Sequence, residues 1–302
     1  MTTSNTPLEI IEFTDPISTW CWGSEPVLRK LETKYGEQIR VSFVMGGMAK
    51  DITSFYNSHN DIGGDPERAN AKIAMHWAEA SGHHGMPVKV EGLRLFSREH
   101  PSSYPQNIAY KAAQIQNPLV ANRFLRRIRE ASAAEAKQTN LTEVLFGLAS
   151  EVGLEMERFR EDFSSGAAQT AFEEDLATTA QYNVHGFPSF LVRYRDKEIL
   201  LHGFKKYENF KAVIAHLSNG KITERHTVAK AASIMAFIQK YGSVTPIEIQ
   251  TAFDLSFDGL MSAYQSLLEN ELITYREVGN GYFISMNSTA TVCDPAVSMC
   301  PA

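Results

Sequence analysis

Phe13-Thr14-Asp15-Pro16-Ile17-Ser18-Thr19-Trp20-Cys21-Trp22-Gly23-Ser24-Glu25-Pro26 spans the point where the chain changes from one periodicity to another. Upstream, Leu8-Glu-Ile-Ile-Glu-Phe-Thr14 is a short β-branched and aromatic run that stops at the turn signal Asp15-Pro16 and reads as a buried strand. Downstream, Val27, Leu28, Leu31 and Tyr35 recur at helical spacing on one face, and Gly36 suits the helix end. Ile39-Arg-Val-Ser-Phe-Val-Met45 then alternates with period two and stops at Gly46-Gly47. Strand, helix and strand make a βαβ unit.

From about Asp65 to Tyr182 the signals are almost wholly helical: Pro66 to Ala80, Tyr104 to Gln116, Leu119 to Ala131, Leu141 to Glu151, Met156 to Phe163 and Ala167 to Gln181. Strands return in Phe190 to Tyr194 and Glu198 to His202 around the turn Arg195-Asp196-Lys197, and a helix from Tyr207 to Leu217 follows. Two β-rich blocks separated by helices imply an α/β, thioredoxin-like fold with a large helical insertion at about 65–182. Ser218-Asn219-Gly220 reads as a linker. Beyond it come helices at Thr227 to Tyr241, Pro246 to Phe253 and Ser256 to Asn270. Strands Leu272 to Arg276 and Tyr282 to Ser285 flank Gly279-Asn280-Gly281, the pattern of a small winged-helix-like domain. The expected division is 1–219, 220–287 and a flexible cysteine-containing tail, 288–302.

The 302 residues carry a net charge of −6 and contain three cysteines, too few for a disulfide scaffold. No apolar run is long enough to cross a bilayer, and residues 1–7 lack the pattern of a signal peptide, so the expected location is cytoplasmic. The acidic balance gives no electrostatic reason to expect nucleic acid or anionic membranes as main partners. In residues 221–302, five lysines and arginines face eight acidic residues, and the helix from Ser256 to Asn270 has no cation for a phosphate backbone.

Thiol-disulfide exchange needs a thiolate, and a helix N-terminus favours one through its unpaired N–H groups and macrodipole. The usual arrangement is Cys-x-x-Cys at the first turn of a helix that follows a strand. Here that place reads Ser18-Thr19-Trp20-Cys21, so only the second cysteine is present. A second requirement is a cis-proline loop able to pair with an extended substrate, for which Val184-His185-Gly186-Phe187-Pro188-Ser189-Phe190 is the candidate. The alternatives are an inert core cysteine at Cys21 and an ordinary strand-leading proline at Pro188.

Residues 13–26 resemble the active-site segment of DsbA-family proteins, especially the cytoplasmic FrnE-like branch, whose segment reads Asp-Pro-x-Cys-x-Trp-Cys-Trp. The resemblance covers roughly residues 7–217. It implies that Ser18 stands at the nucleophile, Cys21 at the resolving cysteine and Pro188 at the cis-proline. It further makes Glu12 a buried acid that assists proton transfer, although strand alternation leaves a solvated carboxylate equally open. Trp20, Trp22, Phe187 and Gly186 are expected to form the substrate platform. The two-domain layout also resembles the SpxH (YjbH) adaptors, which present a transcription regulator to the ClpXP protease. The shared stretches include Pro7 to Ile10, Asp15-Pro16, Cys21-Trp22, Glu25-Pro26, Lys30-Leu31, Tyr35-Gly36 and Ala109 to Ala113.

The expected function is therefore a thiol-disulfide oxidoreductase scaffold, inactive or impaired because serine cannot form a disulfide. Ser18 reads as a natural loss, an engineered Cys-to-Ser change, or a glutathione-contacting serine of the kind seen in kappa-class glutathione transferases. The alternatives are a non-enzymatic, SpxH-like adaptor and a glutathione-binding transferase-like protein. Expected partners are protein thiols or disulfides, small thiols such as glutathione, and a protein held through the C-terminal domain. No cofactor is implied. Metal is not expected either, because His76 and His83-His84 read as a polar helix end rather than a ligand set. Cys293 and Cys300 read as an accessory redox pair acting as an electron relay, since about ten extended residues span about 33 Å, or else as an incidental feature or a local disulfide.

Overall fold

The computed structural model describes residues 6–287. β1 (Leu8–Thr14), α1 (Thr19–Tyr35) and β2 (Ile39–Met45) form the expected unit, with β1 and β2 parallel. A short ribbon, β3 (Tyr56–Asn57) and β4 (Ile62–Gly63), precedes the helical insertion. Two residues per strand leave no period to read in the sequence. The insertion comprises α2 (Pro66–His84), α3 (Tyr104–Gln116), α4 (Pro118–Arg129), α5 (Thr142–Glu151), α6 (Met156–Ser164) and α7 (Ala167–Gln181).

Local chemistry sets the helix ends. The Asp65 carboxylate accepts the Glu67 and Arg68 N–H groups at the start of α2, and Pro66 occupies its first turn. The helix continues past Ala80 because its C-cap signal is Gly85, in the left-handed region. The Asn117 side chain caps α4 in the same way, and a π-turn at Glu130–Ala134 extends that helix.

β5 (Ser189–Tyr194) and β6 (Lys197–His202) return antiparallel, giving the sheet order β2-β1-β5-β6, and α8 (Tyr207–Ser218) closes the layer. Leu8 and Ile10 pack with Leu31, Phe190, Phe210 and Ile214 in one core. Tyr110, Phe124, Phe159 and Phe172 anchor a second core within the insertion. Burying each such side chain is worth about 1.5–3 kcal/mol. Among the described residues, no helix is long and apolar enough to cross a membrane.

The C-terminal module contains α9 (Ala231–Tyr241), β7 (Ser243–Val244), α10 (Pro246–Phe253), α11 (Phe257–Glu269), β8 (Ile273–Val278) and β9 (Gly281–Met286). Its strands form a separate sheet in the order β7-β9-β8. The first helix starts later than Thr227 because the preceding segment is held against α1. Arg225 N–H donates to the Lys34 carbonyl at 2.6 Å, and Lys34 Nζ donates to Thr227 Oγ1 at 2.8 Å.

Ile234, Phe237, Ile249, Leu260 and Ile284 form the module's own core. Val278 and Phe283 instead join Trp22, Trp77 and Met86 of the thioredoxin-like part. The hairpin tip is tied down as well: Asn280 N–H donates to the Val88 carbonyl at 3.0 Å, and Val88 N–H donates to Asn280 Oδ1 at 2.8 Å. Gly279 is required there, since its φ is +49° and a Cβ would lie 2.2 Å from the Val88 oxygen. The module is therefore docked through a shared core, which its self-contained apolar pattern did not imply.

Candidate functional site

Ser18 forms the N-cap of α1, its hydroxyl accepting the Cys21 N–H at 3.3 Å. The preceding turn is fixed by Asp15. Its buried carboxylate accepts from Ile17 N–H, Met48 N–H, Ser103 Oγ and Asn107 Nδ2, joining the β1–α1 turn to α3. Asp15 read only as a turn signal in the sequence, and burial raises its pKa above the usual carboxylate range.

Ser18 faces a cleft of about 720 Å³, whereas Cys21 lies beneath it with no exposed surface. Burial, reinforced by the negative charge of Glu12, pushes the Cys21 thiol up to about 12. At neutral pH that side chain is a thiol rather than the thiolate that disulfide exchange needs.

Glu12 is buried on the same strand face as Leu8 and Ile10, which excludes the solvated alternative. Burial lifts its pKa to about 7, against the opposing pull of Arg129, whose Nη2 lies 3.4 Å away. Arg129 also donates to Thr14 Oγ1 at 2.6 Å and pairs with Glu25 at 2.5 Å. Despite its burial, Glu25 is held below the usual carboxylate range by Arg129, Arg126 and Arg29.

Arg126 continues the network by binding Glu130 at 2.8 Å and Glu248 of α10 through two hydrogen bonds, at 2.8 and 3.1 Å. Arg29 pairs with Glu248 at 2.8 Å. Sequence reasoning missed this network. One available signal was Thr245-Pro246-Ile247-Glu248, a capping-box pattern, and Glu248 Oε2 does accept the Thr245 N–H at 2.7 Å. Arg29, Arg126 and Arg129 gave no comparable signal, because an arginine buried by pairing with a distant segment has the same local sequence as a solvated one.

The Phe187–Pro188 peptide bond is cis. Pro188 itself is buried, while Gly186 and Phe187 line the cleft with Ser18 and Trp20. The Phe187 ring lies over Gly46, where a Cβ would come within 1.9 Å of it. Trp20 borders the cleft among His76, His83, His84 and Phe204, with ring centroids 5.6–6.4 Å away. Burial lowers the pKa of His76, and burial together with His83 lowers His84 to about 4, so both rings are neutral at pH 7. Ile52, Phe55, Ile73 and Leu95 contribute an apolar wall.

Trp22 requires a correction. It is 1% exposed, donates its indole N–H to the Pro87 carbonyl at 2.9 Å and carries the Arg126 guanidinium on its ring at 4.4 Å. Trp20 lies two positions before it on α1, and the helix turns the Trp22 side chain inward. It is a core residue rather than part of a substrate platform. Cys293 and Cys300 lie outside the described residues. Among the described residues, no group of three His, Cys, Asp or Glu side chains is placed to hold a metal ion.

A four-stranded α/β sheet, a cis-proline loop and a helix N-terminus meeting at one cleft define the class of thioredoxin-fold proteins. A thioredoxin family model matches residues 12–212, and the chain belongs to that family. The ClpXP adapter protein SpxH of Halalkalibacterium halodurans is 28% identical over 255 residues, covering 83% of this chain and 80% of that protein. SpxH of Bacillus subtilis is 24% identical over 288 residues, covering 94% and 90% respectively. The cytosolic disulfide reductase DsbM of Pseudomonas aeruginosa superposes with a TM-score of 0.55 at 21% identity, covering 70% of this chain and 98% of DsbM. Both SpxH matches are longer than the thioredoxin-like part and so extend into the C-terminal module, whereas the DsbM match, at 70% of the chain, is no longer than that part.

Proposed function

We propose that this protein is a SpxH-like adaptor: it binds a protein partner and presents it to a ClpXP-type protease, without thiol-disulfide turnover. The observation that carries this reading is the helix N-terminus, which offers the cleft a serine hydroxyl and buries Cys21 behind it as a thiol. Binding needs a shaped surface but no thiolate, so this arrangement leaves it intact while removing redox chemistry. The relatives sharing most of the chain's length are named ClpXP adapters, which supports the same reading. It takes up the alternative reached from the sequence and sets the oxidoreductase reading second.

In this reading the apolar cleft beside Trp20 and Phe187 receives part of the partner, and the winged-helix-like module, spanning about 220–287, supplies the rest of the surface. A Spx-type regulator should bind equally well to the wild type and to a variant in which Cys21, Cys293 and Cys300 are all replaced by serine. Trp20→Ala should weaken binding. Loss of binding in the thiol-free variant, with the fold intact, would overturn the adaptor reading.

The oxidoreductase reading retains one specific observation, the buried Glu12 carboxyl with a pKa of about 7 near Cys21. That is a suitable proton acceptor for a resolving thiol. Under this reading, Ser18→Cys creates turnover, with the introduced thiol as nucleophile, Cys21 as resolving thiol and substrate pairing at Pro188. A glutathione-binding site predicts saturable binding that disappears in Ser18→Ala.

A further inference from the structure

The buried network contains more carboxylates than its arginines can neutralise. Arg29, Arg126 and Arg129 serve Glu25, Glu130 and Glu248, one cation for each anion, with Glu12 remaining at the far end. Arg127 approaches Glu130 at 4.0 Å but lies nearer Glu135 and Glu151, and Glu135 is also paired with two exposed cations, Lys137 and the C-terminal module's Arg276, so the excess of carboxylates is one of buried groups. The groups are linked in series. Glu12 touches Arg129, Arg129 touches Glu25, Glu25 lies near Arg126 and Arg29, and both of those hold Glu248. Of the buried members only Glu248 belongs to the C-terminal module, and it is completely buried.

We propose that docking of the C-terminal module is proton-linked through Glu12: Glu12 holds its proton while Glu248 is seated between Arg29 and Arg126, and releases it to solvent when the module lifts away. With Glu248 in place, three cations face three anions, and an ionised Glu12 would add an unmatched buried charge. When Glu248 leaves, three cations face two anions. Arg126 and Arg29 then turn more fully to Glu25, Arg129 is freed toward Glu12, and ionisation of Glu12 restores neutrality. An uncompensated charge in a low-dielectric interior is the costly state in each arrangement, and one proton avoids it in both.

The surroundings of Glu12 support this assignment. α1 presents Glu25 and Cys21, α4 presents Arg129, and α3 brings the buried phenol of Tyr110. Its neighbours across the sheet, Phe43 on β2 and Phe190 on β5, bring no charge. Among the described residues Glu12 Oε1 has no hydrogen-bond partner, and the groups that favour the anion are Arg129 and the neutral Cys21 thiol. Around Glu248 the charged side chains are Arg29 and Arg126, with Tyr241 of α9 close enough to sense it. The docked state binds the extra proton, so docking is strongest at low pH and weakens as pH rises through the Glu12 titration. This device is independent of the partner and stands or falls separately from the adaptor reading.

Hydrogen exchange of the full chain, corrected for intrinsic rates, tests it at pH 6 and pH 8.5. In the wild type, exchange in residues 231–286 should accelerate with pH, on the order of tenfold for each unit by which docking raises the Glu12 pKa. The isosteric Glu12→Gln variant should remain docked and show no such acceleration. An equal acceleration in Glu12→Gln, or none in the wild type, would overturn the proposal. A second measurement addresses the linkage from the other end: the carboxyl carbon resonance of Glu12 should titrate at lower pH in Glu248→Gln than in the wild type. An unchanged titration would also overturn it.

Discussion

Arg126 on α4 donates two hydrogen bonds to Glu248 on α10, at 2.8 and 3.1 Å, with both side chains buried. This contact joins residues 122 positions apart and makes the C-terminal module part of the same interior as the thioredoxin-like site. Further ties lie nearer the surface, where Lys34 pairs with Asp254 at 2.8 Å and Arg276 pairs with Glu135 at 3.1 Å. Exposed pairs of this kind are worth little individually.

Removing Glu248 leaves Arg126 and Arg29 buried with one counter-ion fewer. Glu248→Ala should therefore lower unfolding stability by about 3–5 kcal/mol, the usual range for breaking a buried pair. Chemical denaturation checks this. Asp254→Ala, at a site where the carboxylate is 54% exposed, should have a far smaller effect.

Glu12 makes stability depend on pH in a defined direction. Its folded pKa of about 7 lies above the ordinary value of 4.5, so its contribution is fully present below about 4.5 and is lost as pH rises through 7. Glu12→Gln cannot lose a proton. Its stability relative to the wild type should rise between pH 5 and pH 8 by on the order of 3 kcal/mol, measured by denaturation at both pH values.

Cys21 should resist a thiol reagent in the folded protein and react once the chain unfolds, because the thiol is fully buried and pushed up to about 12. A Cys293→Ser/Cys300→Ser background isolates this signal. Ser18→Cys in that background should introduce a reactive thiol at the cleft, and Ser18→Ala should cost about 1 kcal/mol through loss of the N-cap.

Gly279→Ala tests the docked hairpin. The added methyl meets the Val88 carbonyl, and φ of +49° disfavours any L side chain, so the tip must shift and Asn280 must lose its bonds to Val88. Destabilisation of about 1–3 kcal/mol is expected, with faster hydrogen exchange at 278–281.

The framework was readable because strand and helix periods differ. β1 falls on the β-branched and aromatic run Leu8–Thr14 and β2 on Ile39–Met45, where the period-two alternation implied a strand. The cleft was readable in part: Ser18, Trp20, Gly186 and Phe187 meet there because strand ends and helix starts carry strong local signals. Trp22 was misread because two tryptophans flanking one cysteine look equivalent until the helix turns one inward. Arg129, Glu25 and Glu248 were not recognised because ion pairing between distant segments leaves no period, and a buried arginine has the same local sequence signature as a solvated one.

The proposed role is binding rather than redox turnover, and it can be tested in one assay. That assay is the rate at which ClpXP degrades a Spx-type regulator in the presence of this protein or of its Cys21→Ser/Cys293→Ser/Cys300→Ser variant. Both should accelerate degradation equally. Failure of the wild type to accelerate it, or acceleration that depends on the thiols, would refute the adaptor role.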